Sequence, residues 1–110
     1  MSHDALTATS KKFWIELIQL FKEHPCLWDT YSPDYLKAPL KHLAYNLLLE
    51  KYWEIDGSAT LGTLKKKLAI FRSGFSREYR KVKDDHEKKY VPKLWYYPYF
   101  KFLKSNEQVS

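Results

Sequence analysis

Glycine, cysteine and long apolar runs are scarce in this sequence of 110 residues. The 3 glycines are too few for the glycine-rich loop that commonly cradles a phosphate group. The single cysteine, Cys26, cannot form an internal disulfide, and no cysteines and histidines share zinc-finger spacing. No apolar stretch approaches the ~18 residues of a transmembrane helix, and the polar N-terminus does not resemble a signal peptide. We therefore expect an intracellular protein.

The sequence also lacks a recognisable arrangement of residues for catalysis or for cofactor binding. The glutamates Glu16, Glu23 and Glu50 belong to different helical faces, so no carboxylate pair suggests acid/base chemistry. The histidines lack partners at the spacing that metal ligands need. We therefore expect a protein that is not an enzyme and that binds no metal or cofactor.

Charge is abundant, and it is unevenly distributed along the chain. Residues 1–59 carry six Lys and eight Asp or Glu, for a net charge of −2. Residues 60–93 carry eleven Lys or Arg and four Asp or Glu, for a net charge of +7, and residues 94–110 add +1. A cationic segment of this kind favours a polyanionic partner, most often nucleic acid. The alternative is a solvated helix face that only increases solubility.

The basic segment also has a helical pattern. Its large apolar residues are Leu61, Leu64, Leu68, Phe71, Phe75, Tyr79 and Val82. Their gaps of three and four residues place them on one face of a helix, and the cationic residues fall on the other face. Gly74 interrupts this helix and marks either a close approach by another element or a tolerated weakness. The sequence thus predicts one long amphipathic helix, capped by Ser58 or Thr60.

Two shorter helices are predicted before the basic helix and one after it. The first begins at Ser10 and ends before Pro25, and the second runs from about Pro39 to Trp53. The predicted core stripe of the second helix is Leu40, Leu43, Ala44, Leu47 and Leu48. A short closing helix runs from Pro98 to Leu103. We expect one domain over residues 11–104, with disordered tails at 1–10 and 105–110.

Five segments of the chain are distinctive in their residues and in their order. They are HPCLWDTYSPDY (24–35), LLLEKYWEID (47–56), ATLGTLKKKL (59–68), FRSGFSREYRKV (71–82) and YVPKLWYYPYFKFL (90–103). Together they resemble the MADF domain, a Myb/SANT-like domain of insect transcription regulators. The resemblance implies an all-α, tri-helical helix-turn-helix bundle with a long basic third helix. It also implies nuclear location and sequence-specific binding of double-stranded DNA through that helix in the major groove. The sequence departs from the family pattern in two places. Many members have a tryptophan near the position of Leu68, and their loop after the basic helix is often rich in Gly and Ser, whereas this loop is charged.

The candidate DNA-binding residues follow from this pattern and the resemblance. They are Lys65, Lys66, Arg72, Ser73, Ser76, Arg77, Arg80, Lys81 and Lys83. We expect the lysines to neutralise phosphates, and the arginines with Ser73 to reach base edges. The acidic residues Asp84, Asp85 and Glu87 would repel phosphate if they lay near it.

Double-stranded DNA is the expected partner, and other chromatin or transcription proteins are further candidates. The main alternative is a protein-interaction module of a chromatin complex that does not read DNA. A weaker alternative is non-specific binding of nucleic acid, including RNA, by the same charges.

Overall fold

The computed structural model describes the backbone of residues 8–108 and the side chains of residues 10–104. The described chain is all-α, as predicted, and contains no β-strand. It forms the α-helices α1 (Ala8–Lys22), α2 (Ala38–Tyr52) and α3 (Leu61–Asp84), and the 3-10 helices η1 (Pro25–Leu27) and η2 (Tyr97–Gln108). The chain divides into two compact units, Met1–Ser58 and Ala59–Ser110.

The first unit has its core between α1 and α2. Its most deeply buried side chains are Leu17, Ile18, Phe21 and Leu48. The rings of Trp14 and Tyr52 meet edge to face, with centroids 5.3 Å apart, a preferred geometry for aromatic pairs. At the rim of this core, Lys51 Nζ lies 2.6 Å from Glu16 Oε1 and so joins the two helices by an ion pair.

The end of α1 is held by side chains from the segment that follows it. Trp28 Nε1 donates to the carbonyl oxygens of Phe21, at 3.1 Å, and Lys22, at 3.2 Å. His24 Nδ1 lies 2.8 Å from the carbonyl oxygen of Leu20. The last carbonyls of a helix have no partner within it, so these contacts satisfy groups that α1 leaves open. Cys26, which lies between His24 and Trp28 in the sequence, is buried and behaves as a small apolar residue.

The predicted core stripe of α2 is wrong in part. Ala44 and Leu48 are buried, as expected, and Tyr52 continues their row. Leu40, Leu43 and Leu47 are instead 38%, 60% and 45% exposed. Leucines stand on more than one side of α2, so helical spacing could not identify the side that packs.

The second unit is organised around α3 and an aromatic cluster. Thr60 caps the helix, because its side chain accepts a hydrogen bond from the N–H of Thr63. Phe75 and Phe100 are fully buried, and the ring centroid of Phe71 lies 4.7 Å from that of Tyr96. The second unit thus buries the apolar side of α3 under residues 90–104.

The predicted tails fall largely outside the described side chains. Residues 1–7 and 109–110 are outside the described residues altogether. The backbone of Ala8–Ser10 already belongs to α1, and η2 continues to Gln108, beyond the predicted end at Leu103.

Candidate nucleic-acid interface

The burial pattern of α3 determines which of its sides is available to a partner. Leu64, Leu68, Phe71 and Phe75 are each 7% exposed or less, which confirms the predicted apolar side. The remaining members of the predicted stripe, at the two ends of the helix, are half-buried. The opposite, cationic side of α3 is exposed to solvent.

The candidate residues on this side are exposed, except that Arg72, nearer the apolar edge, is half-buried. Arg77 and Arg80 form no salt bridge with any side chain of residues 10–104. Both guanidinium groups are therefore available to an anionic or hydrogen-bonding partner, with five donors each in a planar fork.

Adjacent concave areas bring most of the candidate residues together. The largest of these areas has a volume of about 510 Å³. It is lined by Arg72, Ser73, Ser76, Arg77, Arg80, Lys81 and Asp84. Lys66 joins Ser73 and Arg77 at a second area, and Lys83 joins Ser76 and Arg80 at a third. Lys65 is exposed but lines none of these three areas. We call the surface formed by the three areas the α3 cationic surface.

One lysine of this surface is partly engaged by a buried carboxylate. Glu78 is 5% exposed, and its carboxylate accepts a hydrogen bond from the hydroxyl of Tyr90. Lys81 Nζ lies 3.4 Å from Glu78 Oε2. The Tyr90 hydrogen bond, together with the charge of Lys81, lowers the pKa of Glu78. Lys81 is therefore less available to a partner than the arginines.

The three acidic residues after the basic helix have different surroundings. Asp84 lines the α3 cationic surface beside the arginines. Asp85 is directed into its own loop, where its carboxylate accepts N–H groups of Glu87, Lys89 and Tyr90. Glu87 pairs with Lys89 at 3.1 Å. Of the three, Asp84 is thus the one placed to repel a bound phosphate.

The candidate set omits residues that the structure places at this surface. Ile70 and Tyr96 line the same concave area as Lys66, Ser73 and Arg77. A Cβ atom on Gly74 would lie 2.1 Å from Tyr96 Oη, so Gly74 marks a close approach by the segment before η2. The sequence left open whether Gly74 marks a close approach or a tolerated weakness, and it does not identify Tyr96 as the partner.

Within the described residues, no group of three or more His, Cys, Asp or Glu side chains is arranged to hold a metal ion. None of the described helices is both long and apolar enough to span a membrane.

Comparison with known proteins identifies one family. Residues 17–103 match the model of the MADF DNA-binding family, described as "Alcohol dehydrogenase transcription factor Myb/SANT-like". A stretch of 37 residues is 40% identical to "Madf and zinc finger protein 1" of Drosophila melanogaster. That stretch covers 34% of this chain and 6% of the relative. No solved structure matches the chain. The family match extends from α1 into η2 and includes the α3 cationic surface.

Proposed function

This chain belongs to the MADF family of Myb/SANT-like DNA-binding domains, and we propose that it binds double-stranded DNA sequence-specifically as part of a nuclear transcription or chromatin regulator. The observation that carries the proposal is the α3 cationic surface, where exposed Arg77 and Arg80 have no acidic partner among residues 10–104. Several cations together on one helix face repel one another, and an anionic partner relieves this repulsion.

The dimensions of α3 suit insertion into the major groove. Its 24 residues form a helix about 36 Å long. The major groove of B-DNA is ~12 Å wide and accommodates an α-helix with its side chains. We propose that the cationic side of α3 enters this groove, since the opposite side is buried in the second unit.

We assign different roles to the lysines and to the arginines of α3. Lys66 and Lys83, with Lys65 nearer the start of α3, neutralise phosphates and set the orientation of the helix. Arg77 and Arg80 contact base edges, where an arginine can donate to both O6 and N7 of guanine. Lys81 contributes less to phosphate binding than the other lysines, because its ammonium group also pairs with the carboxylate of Glu78. Arg72, Ser73 and Ser76 complete the proposed contacts.

Titration of labelled duplex DNA of random sequence tests the electrostatic part of the proposal. If the protein neutralises about five phosphates, the logarithm of the association constant should fall with log salt at a slope near −4 to −5. Selection from a random duplex pool then tests base readout, and an enriched motif is the expected result. Absence of binding at low salt would contradict the proposal, and binding without an enriched motif would leave only non-specific contact.

A second candidate function is supported by the exposed leucines of α2. Leu40, Leu43 and Leu47 follow helical spacing on α2, and all three are exposed. An exposed apolar row of this kind is typical of a protein-binding surface rather than of scattered surface residues. The row favours a protein partner within a chromatin complex, a role that does not exclude DNA binding by α3. Substituting Leu43 with serine should leave DNA affinity unchanged if the two surfaces act separately.

A further inference from the structure

Ile70 is an apolar residue on the cationic side of α3. Of the large apolar side chains of this helix, all of which the structure describes, Ile70 alone is exposed, at 57%. It lies three residues before Ser73 and four after Lys66, so the three side chains are neighbours on one helix face. The core of the second unit does not account for an isoleucine at this position, because Ile70 points away from the buried stripe.

The surroundings of Ile70 are polar and cationic. It lines a concave area of about 360 Å³ together with Lys66, Ser73, Arg77 and Tyr96. Two cations and two hydroxyl groups thus lie around one exposed, branched apolar side chain, and Ala69 and Gly74 complete the lining. A partner that matches this arrangement has anionic and hydrogen-bonding groups close to a small apolar group.

Duplex DNA presents that combination in the major groove of a base pair that contains thymine. The 5-methyl group of thymine is the apolar feature of the major-groove edge, and phosphates flank it on both sides. We propose that Ile70 contacts the 5-methyl group of a thymine and makes the domain prefer thymine at that position. This inference rests on the proposed binding of α3 in the major groove, and it adds a specificity-determining residue to that site.

Deoxyuridine provides a direct probe, because it differs from thymidine only by the missing methyl group. In the motif selected by the unmodified protein, each thymine is replaced by deoxyuridine in turn, and affinity is measured by fluorescence anisotropy. At one or two positions the replacement should weaken binding about fourfold, the factor expected for losing the burial of one methyl-sized group. For Ile70→Ala the same replacement should change affinity less than about twofold.

Ile55 provides a matched control, because it is also an isoleucine and is 53% exposed, but it lies in the first unit. Ile55→Ala should show the same deoxyuridine penalty as the unmodified protein. Both variants should fold, since neither side chain is part of the buried core, and circular dichroism checks this.

The inference is overturned if the selected motif contains no thymine or if deoxyuridine is tolerated at every position. It is also overturned if Ile70→Ala keeps the full deoxyuridine penalty. Failure of the unmodified protein to bind any duplex would be a different result, because it contradicts the proposed function itself. The two failures are therefore distinguishable in the same set of titrations.

Discussion

Among single residues, Gly74 shows how the core of the second unit and the α3 cationic surface depend on each other. The absence of a side chain at Gly74 lets Tyr96 cross α3 and reach the edge of that surface. The ring of Tyr96 is fixed by edge-to-face contacts with Phe71 and Phe100, at centroid distances of 4.7 Å and 5.9 Å. A glycine within a helix costs about 1 kcal/mol relative to alanine. Here that cost is offset by the packing that it permits.

Gly74→Ala should destabilise the domain although alanine favours the helix. The new Cβ would lie 2.1 Å from Tyr96 Oη and 3.2 Å from Leu94 Cδ1, so the ring must move out of its contacts. We expect a net loss of up to about 2 kcal/mol, from an overpacking cost of about 1–3 kcal/mol less about 1 kcal/mol gained in helix propensity. Chemical denaturation measures the loss. In a Tyr96→Phe background the same substitution should cost at least about 1 kcal/mol less, since the clashing oxygen is gone. Equal costs in the two backgrounds would contradict this account of Gly74.

Asp84 is the acidic residue whose removal should strengthen DNA binding. It lines the α3 cationic surface, and a carboxylate there repels phosphates and reduces the attraction of Arg80. Asp84→Asn should raise duplex affinity at low salt by about two- to fivefold. Glu87→Gln is the control, because it removes one negative charge from the following loop, where Glu87 pairs with Lys89. An equal gain in both variants would indicate a net-charge effect and not a local one.

Among the structural elements, the loop after α3 is organised by a single carboxylate. Asp85 ends the helix and accepts three backbone N–H groups, from Glu87, Lys89 and Tyr90. These hydrogen bonds lower the pKa of Asp85, because they favour its ionised form. Lys88, inside the loop, adopts a φ of 58°, a conformation that L-residues rarely take unless neighbouring contacts hold it. The loop is therefore expected to depend on the charge state of Asp85.

Acid should weaken the second unit through Asp85 and Glu78. Because both carboxyls have a lowered pKa in the folded state, their contribution is complete above their ordinary values, about 4. It is lost as the pH falls through the lowered values. We expect Asp85→Ala to reduce the unfolding temperature at pH 7, and the difference from the unmodified protein to shrink as the pH approaches about 3. A difference that stays constant with pH would show that the charge of Asp85 is not involved. Glu87→Gln again provides the control.

At the scale of the whole molecule, local sequence patterns predict the helices better than they predict the contacts between them. Pro39 indicated the start of α2, and Thr60 was one of two candidates for the cap of α3, because both depend on backbone chemistry within one turn. The apolar side of α3 was predictable because its stripe is narrow and its other side is charged. The buried side of α2 was not, because its leucines surround the helix.

The candidate interface was predictable to the same extent. Helical spacing alone placed Arg77 and Arg80 away from the core, and the structure leaves both exposed. Glu78 and Lys81 lie three residues apart, a spacing that allows their side chains to meet on a helix. Helical spacing did not predict that Glu78 would be buried, since its carboxylate accepts a hydrogen bond from Tyr90, twelve residues further along the chain. Tyr96 was missed for the same reason, because its position depends on the path of the chain between α3 and η2.

The proposed function depends on binding of duplex DNA by the cationic side of α3. The most direct test compares the duplex affinity of Arg77→Gln/Arg80→Gln with that of Lys89→Gln/Lys101→Gln. Both variants lose two positive charges from exposed residues of the second unit, but only the first loses them from the α3 cationic surface. The arginine variant should bind duplex DNA at least about tenfold more weakly at an unchanged unfolding temperature. The lysine variant should stay within about threefold of the unmodified protein. Equal losses in the two variants, or no loss in the first, would show that the cationic side of α3 is not the DNA-binding surface.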